Sequence, residues 1–327
     1  MGYLENGTWR EGGRDARLVN GEFVRRDSQF RDRVTADGSS GYPAVAGRYH
    51  LYVSTACPWA HRTLIFRALK GLERAIPVSI VDPVIVDQGW PFGDGPGCVP
   101  DTVNGFHHLH QVYTKAKPDY TGRVSVPVLW DKQKGTIVNN ESSEIIRMLN
   151  GEFEALASSR EDYYPKALRA EIDAVNQTVY AGINHGVYRC GFATTQDAYE
   201  KAFDTVFAAL DEMESRLGRT RYLVGERITE ADWRLFPTLV RFDAVYHGHF
   251  KCNLRRIEDY PNLSHYTREL YQVPGIAETV DMNHIKRHYY SSHRHINPTG
   301  VVPKGPALDF MAPHDRARKF SRSARTA

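Results

Sequence analysis

The fold is decided by residues 48–70, which read RYHLYVSTACPWAHRTLIFRALK. The first seven residues are rich in aromatic and β-branched side chains, which predicts a strand. Pro58 suits the first position of a helix, and apolar residues then recur at helical spacing, so a helix of about four turns is predicted to end near Gly71. Residues 77–81 predict a second strand, and the resulting β-α-β unit implies a parallel strand pair.

Residues 126–149 complete the element order of a thioredoxin-like domain. Two apolar runs, 126–130 and 136–138, bracket a polar turn and predict a β-hairpin. A further helix is predicted to open at Glu141. Because a proline follows Val126 at the start of the hairpin, we expect a cis bond that exposes the Val126 backbone beside the site.

The second half of the chain has helical periodicity throughout, which predicts an all-α domain. Residues 229–232 look like a capping box, Pro237 predicts a kink, and Pro261 and Pro274 each suit the start of a further helix. The predicted divisions are an N-terminal extension that wraps the fold (1–46), a thioredoxin-like domain (47–160), an all-helical domain (161–305) and a basic C-terminal tail (306–327).

Composition narrows the possible functions. Hydrophobic residues make up 41% of the sequence and charged residues 25%, which is ordinary for a folded protein. A length of 327 residues is enough for two domains. The net charge of +3 comes from the basic end, residues 314–327, which we expect to be a solvated, poorly ordered tail. The rest is near neutral, so nucleic acid is not an expected partner.

The start of the sequence and its cysteines bear on the compartment. No apolar run approaches the ~18 residues of a bilayer span, and the N-terminus has no signal core. The four cysteines are scattered, without a C-x-x-C pair or zinc-ligand spacing. We therefore expect a cytoplasmic protein with reduced thiols, no metal and no membrane partner.

Cys57 is the candidate nucleophile. It lies at the predicted N-terminus of a helix, where backbone N–H groups and the helix dipole favour the thiolate. Ala60 occupies the place where a dithiol oxidoreductase carries its resolving cysteine. A mixed disulfide on Cys57 must then be cleared by an external thiol, and in a cytosol that thiol is expected to be glutathione.

Two further groups of residues admit two interpretations each. Glu141 and Ser142 at a helix start can hold the carboxylate and ammonium of an α-amino acid, or can simply cap the helix. Arg123 can clamp a carboxylate or be a surface charge.

Taken together, six segments resemble the glutathionyl-hydroquinone reductases, the xi-class glutathione transferases, over nearly the whole chain from about residue 3 to 305. The segments are CPWAHR (57–62), GWPF (89–92), RVSVPVLWD (123–131), IVNNESSEI (137–145), VYRCGFA (187–193) and RLFPTLVRFD (234–243). This resemblance implies the glutathione transferase fold, an α/β thioredoxin-like N-terminal domain plus an all-α C-terminal domain, in a homodimer that reduces S-glutathionyl-hydroquinones with glutathione.

The resemblance also implies roles for individual residues. Cys57 would be the catalytic nucleophile. Trp90 would pack on glutathione, and Arg123 would bind its glycyl end. Val126 would pair with its cysteinyl backbone, and Glu141 with Ser142 would hold its γ-glutamyl end. Three tyrosines would line the aromatic-substrate pocket, namely Tyr188, Tyr246 and Tyr289, the last with Tyr290 as its alternative. Nothing is carried over to the tail after Gly305.

Other functions remain open at this point. Dehydroascorbate reduction and deglutathionylation of small mixed disulfides would also use Cys57, whereas a glutathione-transferase-like binding protein would not need it. The Gly-rich stretch 93–97 lacks the spacing of a nucleotide-binding loop. The pair His284 and His288 has helical i,i+4 spacing but no Glu after the first histidine, so packed or surface histidines are favoured over a metal site.

Overall fold

A computed structural model describes residues 2–12, 18–25 and 27–321. The described residues form two compact units. The sheet unit contains 2–12, 27–161 and 278–302, and the helical unit contains 18–25, 162–277 and 303–321. The prediction had placed the whole of 161–305 in one helical domain, whereas 278–302 is grouped with the sheet unit.

Four of the strands in the described residues were predicted, and the four in the N-terminal extension were not. The strands are β1 (Tyr3–Glu5), β2 (Thr8–Arg10), β3 (Leu18–Val19), β4 (Glu22–Phe23), β5 (Tyr49–Val53), β6 (Val78–Ile80), β7 (Val128–Asp131) and β8 (Thr136–Asn139). The last four form one sheet in the order β6-β5-β7-β8. Strand β5 runs parallel to β6 and antiparallel to β7, and β7 pairs with β8 as a hairpin. The predicted β-α-β unit and hairpin are confirmed.

The described helices include both α-helices and shorter turns of other pitch. The α-helices are α1 (Pro58–Leu69), α2 (Leu109–Ala116), α3 (Ser142–Arg147), α4 (Arg169–Thr178), α5 (Gly186–Gly191), α6 (Gln196–Arg219), α7 (Glu230–Arg241), α8 (Pro261–Tyr271), α9 (Met282–Ser292) and α10 (Arg316–Lys319). The π-helical turns are Met148–Glu152, Val179–Asn184 and Phe242–Tyr246. The 3-10 turns are Glu154–Leu156, Lys166–Leu168, Ile257–Asp259 and Ala277–Thr279.

Helix α1 packs on the sheet unit's core through apolar residues that recur at helical spacing. Leu64, Ile65 and Phe66 are buried, and α1 lies against α3. The helix ends as predicted, because Gly71 adopts a φ of +62° that favours glycine. The opposite end of α1, at Pro58, is preceded by Cys57 as the N-cap residue.

The helical unit is built around α6 and α7. Helix α6 packs against α5 and α8, and α7 packs against α4 and α8. The predicted capping box is confirmed, since Asp232 accepts a hydrogen bond from the Thr229 N–H at 2.7 Å. Helix α7 continues through Pro237 to Arg241. None of the described helices combines the length and apolar character that a membrane crossing requires.

The predicted helix start at Pro274 is wrong. Gly275 has a φ of +82°, which no helical residue adopts, so the chain turns there. Helix α9 begins later, at Met282, where the Asp281 carboxylate accepts a hydrogen bond from the His284 N–H at 2.9 Å. A side chain that caps the first turn therefore places the start better than proline alone.

The two ends of the chain also differ from expectation in part. The described part of the extension forms the hairpins β1–β2 and β3–β4, and Leu4 is fully buried in the sheet unit. The tail prediction is wrong for α10, because Arg316 is fully buried in the helical unit. Residues 1, 13–17 and 26 of the predicted extension and 322–327 of the predicted tail lie outside the described residues.

Candidate active site

Cys57 is the N-cap residue of α1. Its backbone is extended, with φ −79° and ψ 121°, and its carbonyl accepts the hydrogen bond from the His61 N–H at 2.9 Å. The side chain is half-buried. The predicted place of Cys57 at the start of the helix is confirmed. The first turn of a helix presents N–H groups that lack acceptors within the helix, and the thiolate that such a position would favour stays a prediction.

The Cys57 thiol faces the segment that leads into β7. Its Sγ lies 3.8 Å from the carbonyl oxygen of Val126. The bond from Val126 to Pro127 is cis, which confirms the prediction. The expected exposure is not found, because Val126 is buried, with 5% of its surface exposed. Its carbonyl oxygen nevertheless lies beside the sulfur.

Glu141 and Ser142 stand at the start of α3. The Glu141 carboxylate accepts hydrogen bonds from Ser143, at 3.1 Å from its N–H and 3.0 Å from its hydroxyl, and from the Ser28 hydroxyl at 3.2 Å. Ser142 is almost fully buried. The capping role is confirmed, and the binding of an amino-acid head by the same two residues stays a prediction.

Arg123 and Trp90, the next two predicted glutathione contacts, both belong to the sheet unit. Desolvation lowers the pKa of Arg123 to about 10, which still leaves the guanidinium charged at neutral pH. The Trp90 ring is 8% exposed and stacks on His288, with 4.8 Å between the ring centroids. One face of the indole is therefore covered by the protein itself.

The predicted pocket tyrosines are divided between the two units. Tyr188 is half-buried, and its ring meets those of fully buried Tyr246 and Phe250 in the helical unit, with centroid distances of 6.0 and 5.4 Å. Tyr289 belongs to the sheet unit, is fully buried and packs against His288 and His293. The common pocket of Tyr188, Tyr246 and Tyr289 stays a prediction.

Two histidines of α9 contact residues of the sheet unit that lie far from them in the sequence. His284 contacts the Thr55 hydroxyl through Nδ1 at 2.9 Å and the Pro96 carbonyl through Nε2 at 2.7 Å. His288 Nδ1 lies 2.8 Å from the Pro83 carbonyl. Their i,i+4 spacing was visible in the sequence, but their partners are distant in the chain and were not.

The histidines and acidic residues of the described chain do not converge on a metal site. Among residues 2–12, 18–25 and 27–321, no group of three or more His, Cys, Asp or Glu side chains is arranged to hold a metal ion. The histidines of α9 are packed side chains that bond to a hydroxyl and to backbone carbonyls.

Two protein-family models match the chain. The N-terminal domain of glutathione S-transferase matches residues 56–152, and the C-terminal domain of glutathione S-transferase matches residues 196–269. These matches coincide with the thioredoxin-like part of the sheet unit and with the central helices of the helical unit.

Relatives match along nearly the whole chain. The glutathionyl-hydroquinone reductase PcpF of Sphingobium chlorophenolicum is 55% identical over 94% of this chain and 97% of its own length. The glutathionyl-hydroquinone reductase YqjG of Escherichia coli K12 is 52% identical over 98% of this chain and its entire length.

Solved structures agree with these matches. The glutathione-bound structure of Escherichia coli YqjG has a TM-score of 0.90 at 50% identity, covering 98% of this chain and 100% of that one. A xi-class transferase from Natrialba magadii has a TM-score of 0.92 at 48% identity, covering 97% of both chains. This chain belongs to the glutathione S-transferase family, in its xi-class group of glutathionyl-hydroquinone reductases.

Proposed function

We propose that this protein reduces S-glutathionyl-hydroquinones to hydroquinones, with glutathione as the reducing co-substrate. The observation that carries the proposal is the half-buried Cys57 thiol at the N-terminus of α1, in a chain 52–55% identical to two glutathionyl-hydroquinone reductases. Ala60 stands where a second cysteine would resolve a disulfide within the chain. The thiol is therefore set up for single-cysteine chemistry.

Glutathione would lie along the sheet unit beside Cys57. The Val126 carbonyl, 3.8 Å from the sulfur, would pair with the cysteinyl backbone of the tripeptide. The charged Arg123 would bind its glycyl carboxylate, and Glu141 with Ser142 would hold its γ-glutamyl end. Trp90, which is 8% exposed and stacks on His288, would pack on the peptide.

The chemistry follows from which bond can break. An aryl thioether resists a thiolate, because expelling an aryl carbanion is too costly. In the keto tautomer of the conjugate, the carbon that carries sulfur lies next to a ketone. Cys57 then attacks the glutathione sulfur, the sulfur–carbon bond breaks, and its electrons leave as an enolate that takes up a proton to give the hydroquinone.

A second glutathione completes the cycle. Its thiolate attacks the mixed disulfide, so that oxidised glutathione leaves and the Cys57 thiolate is restored. The tyrosine hydroxyls of Tyr188, Tyr246 and Tyr289 would donate hydrogen bonds to the developing enolate oxygen, a role worth roughly two to three orders of magnitude in rate. Of the three, Tyr188 is the one whose side chain is partly exposed.

The proposal is tested by steady-state release of hydroquinone from a glutathionyl-hydroquinone in the presence of glutathione. We expect the wild type to prefer this conjugate over dehydroascorbate and small mixed disulfides. Cys57→Ser should lower kcat/KM by about a thousandfold or more, because the nucleophile itself is removed. Retained turnover in Cys57→Ser, or faster reduction of dehydroascorbate, would contradict the proposal.

Cys98→Ser is the matched control. Cys98 is also half-buried, but burial and the neighbouring Asp82 carboxylate raise the pKa of its thiol, so it is poorly suited to act as a nucleophile. We expect kcat/KM of this variant to stay within about twofold of the wild type.

We also propose that the protein works as a homodimer in the cytoplasm. The resemblance to the xi-class enzymes supports the dimer, and four cysteines that form no disulfide with one another suit a reducing compartment. Light scattering on the purified protein would report the mass of the dimer, twice the 37.2 kDa of one chain.

A further inference from the structure

We propose that His284 is a positioning residue for the catalytic thiol. Through the Thr55 hydroxyl, it holds the turn that places Cys57 at the N-terminus of α1. The proposal rests on the nucleophilic role of Cys57 proposed above. It concerns a histidine of α9 that is more than two hundred residues away from that thiol in the sequence.

The hydrogen bonds of His284 determine which ring nitrogen carries the proton. Nε2 lies 2.7 Å from the Pro96 carbonyl, which can only accept, so Nε2 is the donor. In the neutral imidazole, Nδ1 is then an acceptor, and the Thr55 hydroxyl donates to it at 2.9 Å. The contact with Thr55 is buried, and His284 is fully enclosed, so water does not compete for this bond.

His284 is itself held in place by two neighbouring segments. Its backbone N–H donates to the Asp281 carboxylate that caps α9, at 2.9 Å. A Cβ atom on Gly97 would come within 2.7 Å of Nε2, so the backbone of the Gly-rich stretch closes tightly over the ring. The imidazole therefore has a fixed position from which to hold Thr55.

The turn that Thr55 belongs to determines where the thiol lies. Ser54 accepts hydrogen bonds from the Cys57 N–H at 3.2 Å and, through its hydroxyl, from the Ala56 N–H at 3.3 Å. Thr55 is inside this short turn. Because the favourable field of a helix N-terminus falls off within the first turn, a small shift of the turn weakens stabilisation of the thiolate.

The test is the pH dependence of Cys57 alkylation by iodoacetamide in the full-length protein, with the site of alkylation read by peptide mass spectrometry. Thr55→Val removes the hydroxyl with little change of shape. We expect this variant to react about three- to tenfold more slowly than the wild type near pH 6, with the same limiting rate at high pH. Thr55→Ser, which keeps the hydroxyl, should restore the wild-type profile.

A second pair of variants checks that the effect passes through His284. His284→Gln keeps a donor for Pro96 but loses the imidazole acceptor, and we expect Thr55→Val to cause no further slowing in that background. Thr267→Val is the matched control, because Thr267 is also a buried threonine, and its hydroxyl donates to the Leu263 carbonyl within α8. Its alkylation profile should be that of the wild type.

The outcomes separate this proposal from the proposed function. A Thr55→Val profile identical to the wild type, or an equal shift in Thr267→Val, overturns the positioning role. If the wild type fails to reduce glutathionyl-hydroquinones but Thr55→Val still shifts the alkylation profile, the proposed function is wrong and the positioning role stands. Alkylation does not depend on the substrate, so the two results are independent.

Discussion

Arg48 and Asp131 form an ion pair that is almost entirely buried at one end of the sheet. The side chains are 8% and 0% exposed, and Arg48 donates to the carboxylate from Nε at 3.0 Å. Burial opposes ionisation of Asp131, but Arg48 and the N–H groups of Lys134 and Gln133 outweigh it and hold the pKa of this carboxyl below its ordinary value. The pair joins the start of β5 to the end of β7.

This pair makes stability depend on pH in a defined direction. Because the pKa of Asp131 is lowered by folding, its contribution is fully present above the unfolded value of about 4 and is lost as the pH falls through the folded value. We expect Asp131→Asn to lower the free energy of unfolding by about 3–5 kcal/mol near neutral pH, since it leaves Arg48 buried without its counter-charge. The deficit should shrink in acid, as measured by urea denaturation.

An exposed pair provides the control for Asp131→Asn. Arg10 and Glu5 are 54% and 46% exposed, so Glu5→Gln should change stability by no more than about 0.5 kcal/mol. A similar loss in both variants, or a deficit in Asp131→Asn that persists undiminished in acid, would contradict this account of the buried pair.

At the scale of elements, the short helix α10 depends on one arginine. Arg316 is fully buried, and its guanidinium donates to the carbonyls of Leu217 at 2.7 Å, Thr220 at 2.9 Å and Arg221. These carbonyls lie at and just beyond the C-terminal end of α6, where backbone acceptors have no partner within the helix. The arginine thus satisfies the end of one helix from another.

We expect Arg316→Met to lower the free energy of unfolding of the helical unit by about 2–4 kcal/mol, because buried carbonyls lose charged donors. Arg318→Met is the control, since Arg318 lies on the same helix with an 85% exposed side chain. Its stability should stay within about 0.5 kcal/mol of the wild type. Thermal unfolding followed by circular dichroism would measure both, and equal stabilities of the two variants would count against the role of Arg316.

The same elements show what local sequence could predict. Periodicity and capping residues located β5, α1, β6 and the β7–β8 hairpin, because each depends on neighbours in the chain. Pro274 misled the prediction because the positive φ of Gly275 is a property of the folded backbone. Arg316 misled it because a run of basic residues is the same in sequence whether it is solvated or buried against helix ends.

At the scale of the whole molecule, the sequence predicted a two-domain transferase but not where every helix belongs. Helix α9 groups with the sheet unit, where its histidines contact Thr55, Pro83 and Pro96. A helical pattern shows which residues are buried and does not show which part of the chain buries them. The place of Cys57 at a helix start was predictable because its strand, proline and helix are contiguous, whereas the contact between Thr55 and His284 was not.

The central claim is that one thiol, Cys57, takes glutathione from the hydroquinone conjugate. Intact-mass and peptide mass spectrometry can test it after a stoichiometric dose of glutathionyl-hydroquinone without free glutathione. We expect one glutathione in disulfide linkage to Cys57 and an equal amount of hydroquinone in solution. Unmodified Cys57 with an intact conjugate, or glutathione attached to another cysteine while hydroquinone is released, would contradict it.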